Sequence, residues 1–95
     1  VTTPTRTPQQ VLLAAARIMK KRGKADGYAI DSNGRVCAIG AIGEACLWNW
    51  SGIGDRALER LRRSLRLREG RGLASWSDSH TAATVVAALR RAGGA

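Results

Sequence analysis

Two cysteines, one histidine and a few carboxylates are the side chains here that could carry covalent or metal chemistry. Cys37, Cys46 and His80 are the soft ligands, and a closed structural zinc site takes four. No metal and no cofactor is therefore expected. A thiol nucleophile is the other option. Cys37 falls where a helix should begin, and a helix N-terminus lowers a thiol pKa. His80 and Asp78 would complete a Cys-His-Asp set on paper. No surrounding motif supports it, and small cysteines in an apolar run are ordinarily buried and inert. The glycines between Gly34 and Gly43 make no P-loop, because no Gly-Lys-Ser/Thr follows. No carboxylate pair stands in an apolar setting. The expectation is a protein that is not an enzyme.

Charge is the stronger signal. Sixteen Lys and Arg against seven Asp and Glu give a net charge of +9. Such a balance favours an acidic partner: a protein, a nucleic acid or an anionic membrane surface. It also serves solubility alone. The excess is concentrated between Arg56 and Arg71, where seven Arg face two Glu. On a helix, Arg56, Arg60, Arg63 and Arg66 fall away from the apolar stripe Ile53, Ala57, Leu58, Leu61 and Leu65. That exposed face can neutralise phosphates or meet an acidic protein surface, although a charge run is more often a solvated face. The cluster Lys20 to Lys24 has a plainer reason, since cations in a helix's last turn complement its dipole.

Trp48 and Trp50, with Asn49 between them, are the other candidate contacts. They suit base stacking or anchoring at a protein interface. With no Phe and one Tyr in the chain, at least one of them is also needed to close the core. Recognised nucleic-acid motifs are missing: no short helix-turn-helix, zinc finger, basic-leucine heptad or RNA-recognition strand. Nucleic-acid binding would be of the electrostatic kind.

The elements that must position these residues centre on Cys37-Ala-Ile-Gly-Ala-Ile-Gly-Glu-Ala-Cys46, the most apolar run in the chain. As a helix it spans about 15 Å, half of a bilayer core, so it is no membrane span. Gly40 and Gly43 cost helix stability, which close approach of a neighbouring element would offset. The two cysteines would lie about 13 Å apart on it, too far for a disulfide. A first helix is predicted from Thr7-Pro8-Gln9-Gln10, a capping box with proline at the first helical position, to Arg22, with Gly23 as its stop. Its core face includes Val11, Ala15 and Ile18. Tyr28 to Asp31 and Gly34 to Cys37 should pair across Asn33-Gly34 as a hairpin. The third helix should run from after Ser51 to about Arg68, broken by Gly70 and Gly72. Leu73 to Asp78 reads as an extended connector. A last helix, capped by Asp78, Ser79 or Thr81, carries Val85, Val86, Leu89 and Ala92.

The fold class is therefore mainly α (α+β), about four helices around a short central apolar helix with a small two-stranded β-hairpin. Residues 1–6 should be a disordered tail, 7–92 one compact domain, and 93–95 a C-terminal tail. The start has no apolar signal segment, and few cysteines fit a reducing compartment, so a cytoplasmic setting is expected.

Several of these residues carry a resemblance. Gly34-Arg-Val-Cys37-Ala-Ile-Gly-Ala-Ile, Ala45, Trp76-Ser-Asp78, Thr81, Val85, Leu89 and Ala92 resemble a small uncharacterised domain family of actinobacteria and their phages. The chain has Trp-Ser-Asp where that family tends to have Trp-Asn-Asp. The resemblance implies no reaction and no catalytic residue. It implies an accessory protein that engages a component of the host. The expected function is thus a small basic binding protein that meets an acidic macromolecule, a host protein first, through Arg56, Arg60, Arg63 and Arg66 with Trp48 and Trp50. Sequence-independent nucleic-acid binding by the same face is the alternative. Nothing in the residues fixes the oligomeric state.

Overall fold

Thr7 opens the first helix as a capping box. Its hydroxyl accepts the Gln10 N–H at 3.1 Å, and the Gln10 carboxamide accepts the Thr7 N–H at 2.9 Å. Helix α1 then runs Pro8–Arg22 and stops at Gly23, which takes a φ of 91°. The computed structural model describes residues 7–67 and 72–94. The proposed tail over 1–6 and the break at Gly70 lie outside the described residues. Val11, Leu12, Ala15, Ala16 and Met19 form the buried arc of α1. That arc packs against α2 (Ala38–Ala45) and α5 (Ala82–Ala92).

Helix α2 is the apolar run anticipated from the sequence, and it is held by its backbone. The Cys37 Sγ takes the Gly40 N–H at 3.5 Å, and the Ser77 hydroxyl takes the Ala38 N–H at 3.1 Å. Orphan donors at the helix start are thereby satisfied inside the core. Gly40 admits a close approach: a β-carbon there would lie 1.9 Å from the Ala29 carbonyl oxygen. A β-carbon at Gly43 would meet only the ring of Trp48, at 2.6 Å.

The expected β-hairpin does not form; among the described residues there is no strand. Val36 makes a single bridge on each side instead, parallel to Lys24 and antiparallel to Ile30. The reason is competition for one residue. The Val36 N–H and C=O are spent on Gly23 and Ala25, at 3.0 Å each. On the Ile30 side only the flanking bonds remain, Asp31 N–H to Arg35 and Cys37 N–H to Ala29. Helix begins two residues after Val36, so neither ladder can lengthen. The Asn33-Gly34 turn is real, but Asp31 organises it. Its carboxylate accepts the Asn33 and Arg35 N–H groups at 2.9 Å each and pairs with Arg35 Nε at 2.6 Å.

Leu73–Asp78, expected to be extended, is a helix, α4. Leu73 and Ser77 sit one turn apart and both are buried, so the segment folds on tertiary contact rather than on a repeat long enough to read. The Ser77 carbonyl accepts from Lys24 Nζ at 2.9 Å, and Asp78 Oδ1 accepts the Gly27 N–H at 3.1 Å. The Lys24 side chain is only 9% exposed and also pairs with Asp26. Helix α4 thus clamps the 23–36 loop onto α2.

Trp50–Gly54 is a wide turn kinked at Ser51 and Gly52. It leads into α3, Asp55–Leu65, which ends at Arg66 in a left-handed conformation, φ 56°. Ala57 and Leu61 are fully buried, with Ile53, Leu58 and Leu65 packed beside them. Thr81 caps α5 by accepting the Thr84 N–H at 3.2 Å. Five α-helices therefore replace the four expected. The mainly helical class stands; the β component does not. No described helix is long and apolar enough to cross a membrane.

Two stability predictions follow from this packing. Alanine adds helix propensity equally at Gly40 and Gly43, about 1 kcal/mol. At Gly40 the new methyl displaces backbone; at Gly43 it displaces a half-exposed ring that can swing aside. Gly40→Ala should lose about 2 kcal/mol more than Gly43→Ala in urea unfolding, and equal losses would contradict the close approach. The second concerns Asp31. Burial would raise its carboxyl, but hydrogen bonds from Arg35 and Asn33 and the Arg35 charge hold it below the usual range. Its stabilising effect is then full above the ordinary Asp value, about 3.9, and is lost as pH falls through the lowered folded value. Asp31→Asn should flatten the acid limb of stability below about pH 4, and parallel limbs for the two proteins would refute this.

Candidate binding cleft

The apolar stripe of α3 fixes where its arginines point. With Ala57 and Leu61 against the core, Arg56, Arg60 and Arg63 fall at i, i+4 and i+7 on the outer side. They do not form a flat face. The end of α5 and the first turn of α1 rise beside them and enclose a cleft of about 700 Å³. Arg91 of α5 and Gln9 of α1 complete its walls, with Glu59 as the one carboxylate.

The four arginines differ in freedom. Arg60 Nε donates to the Ala92 carbonyl at 2.6 Å, satisfying a carbonyl at the end of α5. Arg60 is thus also a tie between two helices. Glu59 accepts from Arg62 Nη1 at 2.8 Å and from Arg63 Nε at 3.2 Å. Exposed pairs of this kind contribute about 0–1 kcal/mol and exchange readily. Arg56 and Arg91 have no carboxylate within ion-pair distance among the described residues. The cleft therefore offers planar, forked donors to an incoming carboxylate or phosphate.

The other candidate residues lie elsewhere. Arg66 is exposed at the end of α3 and does not line the cleft. Trp48 and Trp50 pack edge to face, with centroids 5.9 Å apart and rings at 74°. Trp50 is half-buried against the core, while Trp48 is 43% exposed over Gly43. Rings at that angle do not offer two successive stacking faces. Leu47 and Trp48 both hold positive φ, 54° and 58°, a conformation that costs a branched or bulky residue energy. The turn nonetheless places Leu47, 68% exposed, beside Trp48 on the surface. Arg91 and Gln9 were not singled out by the sequence. Their only signal was charge and polarity near two helix ends, and nothing in the chain order brings those ends together.

The thiols sit at the two ends of α2, both buried and free. Burial pushes the Cys46 thiol up, partly offset by the N–H groups of Trp48 and Asn49. His80 stacks on Trp76 at 4.6 Å, and its Nδ1 lies 2.6 Å from the Trp76 carbonyl. Asp78 is engaged by Gly27. None of the hydrogen bonds of His80 reaches Cys37 or Asp78. Among the described residues no three His, Cys, Asp or Glu side chains gather as a metal site. Burial predicts that neither cysteine reacts with iodoacetamide near neutral pH until urea unfolds the chain, as followed by mass spectrometry. Rapid carbamidomethylation of Cys37 in the folded protein would contradict it.

No curated protein and no solved structure matches the chain. A family model does, over residues 3–95, and by that match the chain belongs to a family of unknown function, DUF6197.

Proposed function

We propose that the chain is a small, basic, non-enzymatic binding protein that docks an acidic protein partner in the arginine cleft. One observation carries the reading. Arg56, Arg60, Arg63 and Arg91 reach a single concavity from two helices with one carboxylate among them. Guanidinium forks in a cleft suit inserted carboxylate side chains. Exposed Trp48 and Leu47 add an apolar contact of the sort that, with arginine, anchors protein interfaces. The resemblance to small proteins of actinobacteria and their phages supplies the finer reading: an accessory protein in the cytoplasm whose partner is a host protein.

A second reading has its own observation. The excess of five positive charges between Arg56 and Arg71 would suit phosphates in any sequence. The two are separable with an Arg56→Glu/Arg63→Glu variant, which spares Arg60 because of its tie to Ala92. A protein partner should be captured from nuclease-treated bacterial lysate by the native chain. It should be lost by the double variant and weakened roughly tenfold or more by Trp48→Ala. Labelled DNA and RNA should bind only at low salt. Nucleic-acid binding that survives about 0.15 M salt and disappears in the double variant would overturn the protein reading in favour of the second.

A further inference from the structure

The cleft uses one bank of α5; the other bank faces α1. The end of α5 lies beside the start of α1, where a β-carbon at Gly93 would sit 2.8 Å from Leu13. From there α5 runs back along α1. The seam does not seal, and a groove of about 380 Å³ remains. Leu13, Ala16 and Val86 make its apolar floor. Arg17 and Lys20 stand on the α1 bank and Arg90 on the α5 bank, with no acidic residue in the lining. All three cations are exposed, and none is ion-paired among the described residues.

We infer that this groove docks an amphipathic helix of the partner whose apolar stripe is flanked on both sides by acidic residues. The reading rests on the acidic-protein function proposed above and names which part of that partner is held. Charge complementarity carries it. Cations scattered for solubility need not border an apolar trough on both banks, whereas a helix lying in one wants its stripe between two rows of opposite charge. A second copy of this chain is a poor occupant. Helices α1 and α5 carry no acid, Glu44 of α2 is paired with Arg22, and Asp78 of α4 is bonded to Gly27. Acids on α3 are outnumbered by its arginines. Arg90 and Arg91 are adjacent in sequence, one on the groove and one on the cleft, so a partner helix in the groove leads directly to the arginines.

The test is a displayed library of helix-forming peptides about as long as α1, 15 residues. It is selected on the native chain and counter-selected on an Arg17→Glu/Lys20→Glu/Arg90→Glu variant whose fold is verified by circular dichroism. All three positions are exposed, so the variant should fold. Enriched peptides should carry apolar residues at i, i+4 and i+7 flanked by Asp or Glu. Their affinity should fall roughly tenfold or more in the triple variant and be little changed by Arg56→Glu/Arg63→Glu. Amide shifts should cluster at Leu13, Ala16 and Val86. Enrichment of acidic peptides without an apolar stripe, or failure to find any binder sensitive to the triple variant, would overturn the inference. So would triple-variant-sensitive binding of phosphatidylglycerol vesicles without such peptides. Loss of the peptides only in Arg56→Glu/Arg63→Glu would also overturn it, while leaving the cleft reading intact.

Discussion

The carbonyl of Ala29 rests on the backbone of α2 at Gly40, and most of the molecule depends on that contact. It accepts the Cys37 N–H at 3.0 Å, which sets where α2 begins. It also holds the 23–36 loop flat against the helix. Once there, the loop presents Lys24 and Gly27 to α4, and α4 returns the Ser77 hydroxyl to the start of α2. Polar groups buried at this junction are thereby matched, and no buried side-chain nitrogen or oxygen among the described residues lacks a partner. A methyl group at residue 40 is incompatible with the arrangement. The hydrophobic effect supplies the bulk of the driving force, through Leu12, Met19, Ile42, Leu61 and Leu89, all fully buried. The backbone contact decides which packing that force produces.

A core of alanine and aliphatic side chains leaves the charge outside, and there it divides into two populations. Some cations hold the structure. Arg22 donates to the Gly34 carbonyl at 2.7 Å and pairs with Glu44, Arg35 closes the Asp31 turn, and Arg60 ties α3 to α5. Others, Arg56 and Arg91 in the cleft and Arg17, Lys20 and Arg90 on the groove, have no such task among the described residues. The high net charge alone does not distinguish these groups. Their placement at two concavities on either side of α5 is what turns a basic composition into a candidate interface.

The parts of the fold that were legible in the sequence are local. The capping box at Thr7, the proline beside it, the stop at Gly23 and the cap at Thr81 are decided within a few residues, and they lie where expected. The apolar run from Cys37 to Cys46 is long enough to announce a buried helix. What was not legible depended on competition or on distance. Val36 could pair with either of two segments, and satisfying both removed the hairpin. Helix α4 is too short for a period and exists because Leu73 and Ser77 find the core. The arginine stripe of α3 could be read, but its becoming a cleft could not, because Arg91 and Gln9 arrive through the packing of α5 on α1.

Native-state hydrogen exchange tests the organising role of α2 most directly. If α2 is the pillar, the amides of Cys37, Ala41 and Cys46 exchange only through global unfolding and rank with the slowest in the chain. Exchange of Cys37 and Ala41 as fast as the exposed Ser32–Asn33 turn, while α1 and α5 stay protected, would contradict the account and make α2 a peripheral element.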